Sequence, residues 1–129
     1  MATVRADGSL PSQRQLISVT LSTTSTGQSD AIDCAGATLS SILMATSAWT
    51  NASMTFLGSI DGSNFYDIYG STGNEIAYTT TASRLMTFDP AFWLGMRWIK
   101  IRSGTTATPV AQAAERTLIA MLQGLGAVK

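Results

Sequence analysis

Few side chains in this sequence could do chemistry. Four carboxylates, Asp61, Asp67, Glu75 and Asp89, lie in or near turn segments, Cys34 is the single cysteine, and Arg97, Lys100 and Arg102 crowd the stretch RWIKIRSGTTATPV at residues 97–110. Histidine is absent throughout, so the commonest general base is missing, and Ser-His-Asp and Cys-His arrangements are impossible. Lysine could substitute as a base only at Lys100 or Lys129. An acid-base pair drawn from Asp61 and Asp67 would give a glycosidase-like hydrolase. Asp61, however, opens DGSN, whose short side chain and glycine suit a tight turn. Cys34 sits in AIDCAGATL among apolar neighbours that raise a thiol pKa, so it is read as a small core residue.

Other site chemistries find little support. The oxygen-rich loops DGSNFYD and STGNE do not have the spacing of a calcium-binding loop. One cysteine without histidine makes neither a zinc site of the usual kind nor an internal disulfide. Neither glycine-rich phosphate-binding pattern occurs, and QGLGAVK at residues 123–129 has the spacing of neither. No metal or cofactor is therefore expected. NAS at Asn51 fits a glycosylation triplet, a pattern short enough to arise by chance, and no export signal accompanies it.

On a strand, residues 97–102 divide by parity: Trp98, Lys100 and Arg102 face one way, while Ile99 and Ile101 face the core. An indole beside two cations resembles a platform for single-stranded nucleic acid. The charge balance opposes that reading, because eight basic and eight acidic residues give a formal net charge of zero and no second basic cluster exists. The cations are instead expected to pair with acids such as Asp67, Asp89 or Glu115, on a solvated or protein-binding face.

The elements that must position these residues follow from the alternation. Apolar residues recur with period two at Ile17, Val19 and Leu21, at Ile32 and Cys34, at Ile42 and Met44, at Met54 and Phe56 with Ile60 beyond Gly58, at Ile99 and Ile101, and at Leu118, Ala120 and Leu122. Turn clusters rich in Gly, Asn, Asp, Ser and Pro separate them. Short helical turns are expected only at Pro90–Leu94, capped by Asp89, and at Val110–Glu115. The fold class is therefore all-β: a single antiparallel β-sandwich, jelly-roll-like, of about eight short strands. Residues 1–14 form a flexible N-terminal arm and residues 15–129 the sandwich domain. With 45% hydrophobic and only 12% charged residues, the surface is built for packing against neighbours. No segment approaches the roughly 18 apolar residues of a membrane-spanning helix.

Two stretches carry a family resemblance: AIDCAGATLSSILMATSAWTNASMTFLGSIDGSNFYDIYGSTGNEI, and RLMTFDPAFWLGMRWIKIRSGTTATPVAQAAERTLIAML. Their aromatic turn, DG hairpin, DPAF segment and IKIRSGT strand, followed by Gln112 and Arg116, resemble small virion structural proteins of tailed bacteriophages and gene-transfer agents. The resemblance spans about residues 30–122 and is absent from the arm. It implies a β-sandwich on the outer surface of the particle, as a capsid decoration or cement protein or a head spike or fibre base. Implied partners are the major capsid protein or other virion proteins, with no catalytic residues to carry over; the weakly charged strand edges add further copies of the chain as a homo-oligomer, while the charge balance and the lack of a long apolar run leave no nucleic acid or membrane expected. Trp49, Phe92, Trp93, Trp98 and Arg102 are the protein-interface candidates, since aromatics and arginine anchor interfaces best. The alternative is a carbohydrate-binding module for host adhesion, with Trp98 stacking on a host glycan.

Overall fold

The computed structural model describes residues 14–124. The expected arm thus lies, Arg14 apart, outside the described residues, as does Lys129. Nine strands form: β1 (Arg14–Leu21), β2 (Ile32–Asp33), β3 (Ala37–Leu43), β4 (Met54–Ser59), β5 (Tyr66–Asp67), β6 (Ala77–Tyr78), β7 (Leu85–Thr87), β8 (Trp98–Ser103) and β9 (Arg116–Gly124). All their pairings are antiparallel, in a four-stranded sheet ordered β1-β9-β3-β7 and a five-stranded sheet ordered β2-β8-β4-β5, with β6 also on β4.

This order is one long hairpin folded over on itself. The first strand pairs with the last, the second with the second last, the third with the third last, and β4 with the two short strands that follow it. Folding that hairpin brings β9 onto β3 and β8 onto β4 and closes two layers, which is the jelly roll.

The sequence alternation predicts most of the inner face. Val19, Leu21, Ile32, Cys34, Ile42, Met44, Met54, Phe56, Ile99, Ile101, Leu118, Ala120 and Leu122 are all buried in one cluster between the sheets. Two departures have local causes. A register shift in β3 between Leu39 and Ser41 puts both Leu39 and Ile42 inside, three positions apart, and Ser40 Oγ donates to Met121 O beside the irregularity. Ile60, expected on the core side beyond Gly58, is 92% exposed. It stands past the end of β4, where Ser59 Oγ accepts from the backbone N–H of Asp61 and Gly62 and reverses the chain, so strand parity does not carry through.

The turn capped by Asp89 forms as a 3-10 helix, Pro90–Trp93, with the Asp89 carboxylate accepting from Ala91 N. It drives Trp93 into the core edge-on to Phe56 and Phe88, at centroid distances of 4.7 and 6.0 Å. Residues 110–115 form no helical turn. Their conformation is set instead by Gln112, described below.

Candidate functional site: two buried polar clusters and an uncharged sheet face

The outward side of β8 is covered over. Gly104 ends the strand at φ 95°, where a Cβ would lie 2.4 Å from Thr108 O, so only glycine lets the 105–109 loop fold back this tightly. Strands β4 and β5 and the 68–76 segment bring three partners to Arg102, which is 3% exposed. Its Nε donates to Thr55 Oγ1 (2.9 Å), Nη1 to Asp67 Oδ1 (2.7 Å) and Nη2 to Glu75 Oε2. Thr106 locks the loop to the same acids, its Oγ1 donating to Asp67 Oδ2 (2.8 Å) and its N–H to the Glu75 carboxylate (3.2 Å). Burial opposes ionisation of Asp67, but the bonds from Arg102 and Thr106 outweigh it and hold the carboxyl below its ordinary range. With both acids committed to one guanidinium, this is a structural clamp with no free base.

A second cluster pins the segment before β9. Gln112, 2% exposed, accepts at Oε1 from Thr50 N and Arg116 Nε, and donates from Nε2 to Thr50 O and Ser103 Oγ. Arg116 Nη2 and Ala113 N both donate to Thr50 Oγ1. Gln112 thus satisfies all its capacity and ties the 49–52 turn to β8 and β9.

The remaining reactive types are similarly engaged. Asp61 accepts from Ser59 Oγ, the backbone N–H of Ser63 and Asn64, and Asn64 Nδ2, bonds that push its pKa far below the usual carboxylate range. Cys34 is buried, and desolvation, with Asp33 adding to it, raises its thiol pKa to about 11. Asp33 is held low by its hydrogen bond from Arg97. Among the described residues no group of three or more His, Cys, Asp or Glu side chains could hold a metal ion.

The five interface candidates do not form one surface. Phe92, on the 3-10 turn, is exposed. Trp49 is half-buried against the core and donates from Nε1 to Ala52 O. Trp98 is half-buried, with the Arg97 guanidinium 4.5 Å from its ring centroid and Gly62 against it so closely that a Cβ there would lie 3.1 Å from Cε2. Trp93, expected as an anchor, is 0% exposed and belongs to the core. Its indole N–H meets no acceptor at ordinary hydrogen-bond geometry. It lies near enough to Tyr78 to offset part of the rise in that phenol's pKa caused by burial and by Asp89. Arg102, expected on an outward face, does point away from the core but is sealed under the 105–109 loop. It pairs with Asp67, as expected, and with Glu75; the other expected acids, Asp89 and Glu115, are exposed elsewhere.

One exposed apolar feature lies on the outside of the four-stranded sheet. One cross-strand row runs Leu16, Met121, Ser41, Thr87, and the next runs Ser18, Ile119, Leu43, Leu85. No charged residue stands in either row, and Leu16 and Leu85 are 62% and 56% exposed. The signal was present in LISVTL and TLIAML, apolar on both parities where an antiparallel strand with one wet face alternates. A second apolar feature is an open groove of about 340 Å³ lined by Ile60, Tyr66, Ile68, Tyr69, Gly95 and Met96. In comparisons with protein-family models, with curated proteins and with solved structures, the chain matches none.

Proposed function

We propose that this chain is a non-enzymatic structural protein of a phage-type virion. It attaches to the outside of the capsid as a decoration or cement protein, or as a spike or fibre base, and works through protein-protein contacts. The observation that carries the reading is the pair of uncharged cross-strand rows on the outer face of the four-stranded sheet. Leu16, Met121, Ile119, Leu43 and Leu85 put apolar side chains on each of the four strands, as a protein-binding patch does, and desolvating these rows strands no charge. The fold adds only an analogy, since jelly rolls serve in capsids and in lectins alike. Engagement of Asp61, Asp67 and Glu75 in structural bonds supports a non-enzymatic role. The test is co-sedimentation with capsids from the cells that encode the protein. Replacing Leu43 and Leu85 together by glutamate is expected to leave the thermal transition within a few degrees of wild type and to abolish capsid binding. Undiminished binding by that folded variant would overturn the reading.

A second reading, a carbohydrate-binding module for host adhesion, draws on the groove beside Tyr66 and Tyr69, both exposed. Those rings could stack on sugars, as Trp98, flanked by Arg97 and Gly62, cannot do freely. Glycan-array binding that disappears in Tyr66→Ala would favour it over capsid attachment.

A further inference from the structure

The five outer strands of the two sheets are unequal. β2, β5 and β6, at the margins of the five-stranded sheet, have two residues each, and β7 has three. Short outer strands are a common protection against edge-to-edge pairing. β1, the remaining margin, has eight residues in unbroken register with β9, without a bulge. Its one charge is Arg14 at the first position, and QLISVTL at residues 15–21 contains no charge and no proline. Among the described residues its outer side is met only at the end, where Leu21 bridges to Ser29, so residues 14–20 present backbone N–H and C=O groups with no strand beside them.

We propose that two copies of this chain pair antiparallel through the free edge of β1, joining their four-stranded sheets into one continuous eight-stranded sheet. The proposal goes beyond the virion reading and does not depend on it. The strand is suited to itself. A two-fold axis near Ile17 sets Leu16 opposite Ser18, Gln15 opposite Val19 and Ile17 opposite its own mate, so every residue meets one of its own parity and no charges are opposed. Ile17, now only half-buried at the margin of the core, gains a hydrophobic neighbour, and Leu16 is covered. The arrangement is closed, because the outer strands left over are the three-residue β7 strands, too short to propagate it. The uncharged rows on the outer faces of the two copies then merge into a single larger face. The competing occupant is the chain's own residues 1–13 lying along the same edge.

The test is sedimentation equilibrium of the full chain, with single prolines at Ile17 and at Ser18. In an edge strand, alternate N–H groups point into the ladder and outward, so one proline breaks bonds to β9 and the other removes an outward donor. The full chain is expected to sediment as a dimer of twice 13.6 kDa. The proline variant that keeps its thermal transition should show at least a tenfold weaker dimer. A full chain that stays monomeric, and dimerises only when residues 1–12 are removed, would give the edge to the arm and overturn the proposal. So would a folded proline variant that dimerises normally. Should both prolines unfold the protein, hydrogen exchange of wild type decides, with protection of alternate amides from Leu16 to Thr20 rising with concentration expected and its absence refuting.

Discussion

Replacing Arg102 with methionine keeps most of the apolar stem and removes the guanidinium that faces Asp67 and Glu75. The Arg102 side chain is 4% exposed, Glu75 13% and Asp67 30%. Removing one member of a fully buried ion pair costs about 3–5 kcal/mol, because the partner charge is left desolvated. Water reaches Asp67, so the lower end applies, about 3 kcal/mol. An unfolding entropy of about 2.1 cal/mol/K per residue over 129 residues is about 0.27 kcal/mol/K, so Tm should fall by about 11 °C. The pH dependence separates this cause from simple loss of packing. In wild type the depressed pKa of Asp67 contributes stability that is complete above the unfolded value, about 3.9, and is lost as pH falls through the folded value. In the variant, burial is opposed at Asp67 only by Thr106 and a backbone hydrogen bond, so the folded pKa rises and stability is regained on acidification. Urea unfolding followed by tryptophan fluorescence at pH 7 and pH 4.5 should show the gap between the two proteins narrowing at the lower pH. A gap below about 1 kcal/mol at pH 7, or one of equal size at both pH values, would refute the clamp.

Two further outcomes are expected. Gln112→Met leaves Thr50 N and Arg116 Nε without their acceptor in the buried cluster, a loss of about 3 kcal/mol read as a lower urea midpoint with unchanged m-value. Cys34, with its pKa raised from 9.0 to about 11, should react with a disulfide reagent at pH 8 about 100-fold more slowly than an exposed thiol and recover that rate in urea; rapid native labelling would contradict its burial.

The alternation of Val19 with Leu21, Ile99 with Ile101 and Leu118 with Leu122 made the sandwich legible, because one side of each strand must meet the other sheet. The covering of Arg102 was not legible. Parity says that Arg102 points away from the core, but not that residues 68–76 and 105–109 return over it, and Glu75 is 27 residues away in the chain. Trp93 misled for a related reason. Its place is set by where a single 3-10 turn docks, a tertiary choice that local composition does not encode. The outer sheet face was written in the sequence, yet reading TLIAML only for its inward parity set aside Ile119 and Met121. Gln112 and Arg116 stood out in the family resemblance, and the structure gives them a physical role as the fastening of the segment that leads into β9.

The position of β9 has a consequence for how the molecule is made. Among the described residues it is the last strand in chain order, yet in space it lies between β1 and β3, the only strand paired with β1 and one of two paired with β3. Until it is synthesised, the four-stranded sheet has a missing plank, with β1 on one side of a gap, β3 and β7 on the other, and no described strand to join them. The strands of the five-stranded sheet, β2, β4, β5, β6 and β8, all precede β9 in the chain, so that sheet does not wait for it. Residues Arg14 and Gln123 are direct partners across that seam, so closure joins positions more than a hundred residues apart. Contacts of such long sequence separation are entropically costly to close and form slowly, so the four-stranded sheet stays open to wrong partners until β9 takes its place.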